Sequence, residues 1–156
     1  MSWTIETQTP ENEDMKKLES AISAAEAAKT LMFCSASDQG GNSMDGCFPG
    51  DWDKCIKIGG ATSTGEILPW VQEKKINFLL PGKKIPFTNP DGSTFTESGS
   101  SVATAAASGL AGLLIFCDRL LGPGHRQLLP SSTEHDGGFQ KIVHERAKIP
   151  ARGILL

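Results

Sequence analysis

The stretch Ser98–Cys117, SGSSVATAAASGLAGLLIFC, carries no charge over twenty residues and is the longest helix candidate in the chain. Its length is enough to cross a bilayer. Its first half, however, is Ser, Thr, Ala and Gly, which gain little in hydrocarbon, and only Leu113–Phe116 is strongly apolar. A helix that is apolar on every face is expected to be buried on every side. Its small residues, Ala107, Gly109, Ala111 and Gly112, would let neighbouring strands approach. The helix is therefore read as a core helix spanning Ser101–Leu121, with no membrane as partner. A serine pair, Ser100-Ser101, stands at its start. Free N–H groups and the macrodipole favour negative charge there. Such a serine is either a helix cap or an acyl-transfer nucleophile whose own N–H helps bind an oxyanion. Two other nucleophile motifs fail. Ala103 stands where G-x-S-x-G needs its last glycine, and no S-x-x-K surrounds these serines.

Working outward, the segments before this helix alternate between helical and extended patterns. Met1–Thr7 reads as a short strand. Asn12–Lys29 reads as a helix, with Met15, Leu18, Ile22 and Ala25 on one face and Asn12 or Asp14 as its cap. Thr30–Cys34, Cys55–Ala61 and Ile76–Leu80 are apolar strand candidates. Asp38–Gly50 is a glycine-rich loop, and Asn89–Ser98 is polar with a turn at Pro90-Asp91-Gly92. This succession predicts an α/β fold in which a mostly parallel sheet is flanked by helices. Gly122–Leu156 is a polar tail with a helix pattern at Phe139–Lys148.

Composition adds exclusions. With 156 residues and a net charge of −3, the chain fits one domain without a clustered basic patch, so nucleic acid is not an expected partner. Cys34, Cys47, Cys55 and Cys117 form no C-x-x-C pair, which leaves zinc and dithiol chemistry unsupported. They are expected to be buried free thiols, with no metal and no cofactor. The polar, acidic N-terminus lacks a leader pattern. That absence and the thiols favour a cytoplasmic setting.

Residues 99–105, GSSVATA, resemble the serine motif G-T-S-M-A-x-P of the subtilisin-like proteases, in a G-S-S-V-A-T-A form of fungal type. The match departs at Ala105, where the family has Pro. Three further matches follow the family's order. Residues 35–40, SASDQG, are similar to A-A-G-N-x-G; residues 56–61, IKIGGA, to V-I-x-V-G-A, with Pro49 before them; residues 77–82, NFLLPG, to D-x-x-A-P-G. Met1-Ser2-Trp3-Thr4 resembles the strand N-M-S-L-G. The resemblance covers residues 1–121.

The resemblance implies a partial subtilisin-like fold whose central buried helix starts at the nucleophile, here Ser101. It implies a serine endopeptidase acting on protein or peptide. Asp38 falls where the family's Asn donates to the oxyanion, a donor worth roughly 10²–10³ in rate in subtilisin, the measured case. An ionised Asp would repel that charge, and a protonated one would donate; an Asx-turn within the loop is the structural alternative. Ser2, Trp3, Thr4, Ser35, Ala36 and Ser37 would wall the pocket for the residue before the cut, with substrate added as a strand. The family's Asp and His lie upstream of Met1–Thr4 in chain order. The chain's three histidines, His125, His135 and His144, all follow Ser101 and none sits in H-G-T. A truncated or degenerate subtilase is therefore expected, and a non-catalytic peptide-binding relative is the alternative.

Overall fold

The computed structural model describes residues 1–7, 11–40, 45–73 and 76–121. Among the described residues nine elements follow one another: β1 (Ile5–Thr7), α1 (Glu13–Ala27), β2 (Phe33–Ser35), β3 (Gly46–Phe48), β4 (Ile56–Ala61), β5 (Phe78–Pro81), β6 (Ile85–Thr88), β7 (Thr94–Glu97) and α2 (Ser100–Leu121). The proposed tail helix at 139–148 and all three histidines lie outside the described residues.

The strands β2, β4 and β5 form a parallel sheet in the order β2-β4-β5, with Phe33 opposite Ile56 and Ile58 opposite Phe78. Two antiparallel pairs stand apart from it, β1 with β3 and β6 with β7. The fold is thus α/β, and the expectation of a mostly parallel arrangement is corrected to a mixed one. Three strands, β3, β6 and β7, were hidden from pattern reading. Gly46–Phe48 sits in the glycine-rich loop and is recruited by register with Ile5–Thr7. The polar segment before Ser98 is the second arm of a hairpin around the expected Pro90-Asp91-Gly92 turn, where Gly92 has φ +83° and Asp91 Oδ1 accepts from Ser93 N. Strand side chains alternate between faces, and these strands are too short or too exposed for that alternation to read as apolar and polar.

The alternation does sort the core around the parallel sheet. Phe33, Ile56 and Ile58 face α2, where they meet Ala103, Ala107 and Ala111. Met32, Cys34 and Cys55 face the other way and meet Ile22 of α1. Each fully buried Ile or Phe contributes roughly 1.5–3 kcal/mol of burial. Helix α1 starts where Asn12 Oδ1 accepts from Met15 N at 2.9 Å, as its pattern predicts. Glu13 and Asp14 complement the macrodipole in its first turn.

Helix α2 departs from expectation. Its small residues Ala103, Thr104, Ala107 and Ala111 form one buried face against β4 and β2. Leu113, Phe116 and Leu120 on its other side are exposed by 56, 57 and 69%. The helix is apolar all round, yet it is buried along one face among the described residues. Gly109 and Gly112 allow no close approach, since a methyl at either meets nothing within 4 Å. Cys117 is exposed, unlike the other three thiols.

Candidate active site

The start of α2 is set by three glycines on three segments. A methyl on Gly82 would lie 2.8 Å from the Gly99 carbonyl oxygen and 3.0 Å from the Gly60 α-carbon. One on Gly60 would lie 3.2 Å from the Gly99 carbonyl carbon. Backbone therefore touches backbone where β4, the end of β5 and the residue before α2 converge. Gly99 has φ +144°, a conformation that side-chain-bearing residues rarely adopt. Its N–H donates to Gly82 O at 2.8 Å, and Lys84 N donates to Ser98 Oγ at 2.8 Å, which closes the base of the β6–β7 hairpin.

Ser101 is the second residue of α2 and is half-buried. Among the described residues no group hydrogen-bonds its hydroxyl. A methyl on Gly99 would stand 3.6 Å from Ser101 Oγ and 2.8 Å from Asp38 Oδ2, so hydroxyl and carboxylate flank the same point. The structure thus brings together the two residues that motif reading singled out from opposite ends of the fold. Asp38 reaches the site because β2 ends at Ser35 and the chain then turns under α2. That turn is fixed by Ala36 N on Ile58 O at 2.8 Å and by Gln72 N on Ser37 O at 2.8 Å.

The side chain that motif reading missed is Ser100. It is fully buried, and its N–H donates to Asp38 Oδ2 at 2.9 Å while its hydroxyl donates to Asp38 Oδ1 at 2.7 Å. The two residues are 62 positions apart, so no local spacing could reveal the pair. A second missed feature is Lys57, fully buried in β4 and ion-paired with Asp51 Oδ1. A charge inside the apolar run IKIGGA was its only signal.

The remaining candidate residues are distributed as follows. Met1 lies against β2, its ammonium donating to Phe33 O and its carbonyl accepting from Ser35 N. The segments Ser2–Thr4 and Ser35–Ser37 therefore leave from one place. Ser2 and Trp3 are exposed and Thr4 is half-buried. Ser35, Ala36 and Ser37 are buried. None of residues 2–4 is in a strand; β1 begins only at Ile5. Among the described residues no three metal-ligating side chains cluster.

Nearby, burial pushes the Cys47 thiol up from 9.0 to about 11, and the hydrogen bond with Cys55, with burial, pushes Cys34 higher still. Both are poor nucleophiles for that reason.

Comparison with known proteins gives the chain a family and a fold. The family model described as Subtilase family matches residues 1–119. Among solved structures, the prenylagaramide maturation protease PagA aligns with 26% identity and a TM-score of 0.62, over 74% of this chain and 42% of its own. The self-cleaved protease domain of PatA aligns with 27% identity and a TM-score of 0.62, over 73% and 43%. The patellamide maturation protease PatA shares the fold at 22% identity and a TM-score of 0.63, over 92% and 48%. This chain thus spans less than half the length of each. No curated protein matches it. The fungal-type affinity expected from residues 99–105 is overturned, because the matched structures are bacterial maturation proteases.

Proposed function

This chain belongs to the subtilase family, and from that premise we propose that it is the nucleophile-bearing part of a subtilisin-like serine endopeptidase. Ser101 is the nucleophile: its hydroxyl attacks a peptide carbonyl to form an acyl-enzyme, and a histidine held by an aspartate takes the proton. The single observation that carries this reading is the placement of Ser101. It stands in the first turn of a 22-residue helix, on a glycine-built turn, with its hydroxyl engaged by none of the described residues. Its backbone N–H then lies where the helix dipole favours the tetrahedral oxyanion.

The histidine and aspartate belong to segments that the matched residues do not include. Without a base, a serine hydroxyl at neutral pH is a weak nucleophile. Activity is therefore assigned to the assembled domain. Substrate is a protein or peptide, and residues 2–4 and 35–37 are the proposed walls of its binding cleft. The domain comprises residues 1–121, with 122–156 as an appended tail. Helix α2 is a domain helix and not a membrane span, a reading supported by the packing of Ala103, Ala107 and Ala111 on the sheet. The free thiols favour a cytoplasmic setting.

The second reading, a peptide-binding relative without catalysis, is favoured by one observation: both Asp38 oxygens accept hydrogen bonds where the family's Asn would donate. The test is turnover of a fluorogenic casein by this chain co-refolded with the complementary part of the PatA protease domain. Cleavage that disappears in Ser101→Ala supports the peptidase. Binding of casein without cleavage, unchanged in Ser101→Ala, supports the binding module and overturns the peptidase.

A further inference from the structure

Ser100 uses every polar group it has and is itself fully buried, while the Asp38 beside it is exposed. Gly60 N donates to its hydroxyl oxygen at 3.1 Å, which leaves the hydroxyl proton for Asp38 Oδ1 at 2.7 Å. Its N–H goes to Asp38 Oδ2 at 2.9 Å, and its carbonyl accepts from Thr104 Oγ1 at 2.7 Å. Ser100 and Thr104 are both fully buried. A carboxylate that accepts from a hydroxyl and from a helix N-terminal amide makes charge-assisted bonds, the stronger kind. Each carboxylate oxygen is directed at Ser100, and neither offers a hydrogen to the space beside Ser101.

We propose that Ser100 is a positioning residue that latches Asp38, so that the carboxylate fixes the first turn of α2, and with it Ser101, while supplying no donor to an oxyanion. The inference rests on the reading of Ser101 as nucleophile. It turns Asp38 from an oxyanion group into a positioning residue acting through Ser100. The arrangement favours a well-held nucleophile over a stabilised transition state, because a fixed negative charge flanks the point where a second one develops. An Asn in the same place keeps one oxygen for the Ser100 N–H. Its amide nitrogen faces the Ser100 hydroxyl oxygen and donates to its second lone pair, and the hydroxyl proton gives up its carboxylate acceptor. The remaining amide hydrogen is then released toward Ser101.

Two measurements decide this. The first is amide hydrogen exchange of Ser100, Ser101 and Val102 in this chain. Asp38→Ala and Ser100→Ala each accelerate exchange roughly fivefold to thirtyfold, the scale of a lost cap. The double variant is no faster than the quicker single one, and Ser100→Thr, which keeps both bonds, stays within about twofold of wild type. The second is the rate of Ser101 phosphonylation by a fluorophosphonate in the domain completed with the PatA part. Asp38→Asn raises it at least about tenfold, a part of the roughly 10²–10³ that one oxyanion donor supplies. Asp38→Ala, which removes charge and adds no donor, gains less. Exchange effects of Asp38→Ala and Ser100→Ala that multiply would overturn the latch. An Asp38→Asn rate within about twofold of wild type would overturn the claim that the latch withholds a donor. If no variant is labelled, the nucleophile reading fails, and the exchange data still decide the latch.

Discussion

Asp38 and Ser101 are 63 residues apart by number and flank one glycine in space. At this scale the chemistry is set by which polar groups are engaged and which are buried. The thiols give the clearest test. Cys47 and Cys34 have pKa values raised in the folded state above the unfolded one, Cys47 from 9.0 to about 11. A raised thiol pKa means the unfolded chain loses its proton first. The stabilising contribution is complete below pH 9 and is lost as pH rises toward 11. The melting temperature is therefore expected to be flat between pH 7 and 8.5 and to fall from pH 9 to 11. Cys47→Ala would make that fall shallower; an unchanged slope would count against the buried thiol. Much of this scale was legible beforehand. Ser101 and Asp38 were singled out from short motifs, and the structure places them on either side of Gly99. Ser100 was not, because its role is a long-range bond to a carboxylate. Cys117 was misplaced inside the core, because an apolar run does not say which of its faces is covered.

Among the elements, α2 shows how far a pattern reaches. Its length and helical nature follow from Ala, Leu and the absence of interior Pro. Its burial does not, since an all-apolar helix gives no phase to its covered face. Only contact with Ile56, Ile58 and Phe33 picks out Ala103, Ala107 and Ala111. Gly109 lies off that face in open space. Gly109→Ala is thus expected to stabilise the protein by roughly 0.8–1 kcal/mol, the helix-propensity difference. A denaturant midpoint that moves up at constant slope is the expected result, and one that moves down would place a neighbour on that face. The hairpin β6–β7 was illegible for the opposite reason. Every residue of β7 is exposed, so no apolar alternation marks it, and cross-strand stacking of Phe87 on Phe95 at 5.5 Å stands in for a core.

At the scale of the whole molecule, the sheet is covered on both faces while the outer side of α2 is open. Leu113, Phe116 and Leu120 form an apolar stripe of the kind that monomeric proteins seldom leave exposed. The chain on its own is therefore expected to associate reversibly in sedimentation velocity as concentration rises. The double change Leu113→Lys with Phe116→Lys should restore a single slow species, and association that persists unchanged would place the contact elsewhere. The subtilase family was readable from five short stretches of sequence, but the fungal type assigned to it was not correct. The antiparallel pairs were not readable: β1 and β3 are partners distant in the chain, and β6 and β7 form an exposed hairpin with no apolar alternation. The central claim is that Ser101 becomes a nucleophile once a subtilase histidine faces it. Its most direct test is mass-spectrometric mapping of a fluorophosphonate adduct on this chain in the completed domain. A single adduct on Ser101 is the predicted result, lost in Ser101→Ala and absent when the complementary part is withheld. An adduct on another residue, or none in a domain that has demonstrably assembled, would contradict it.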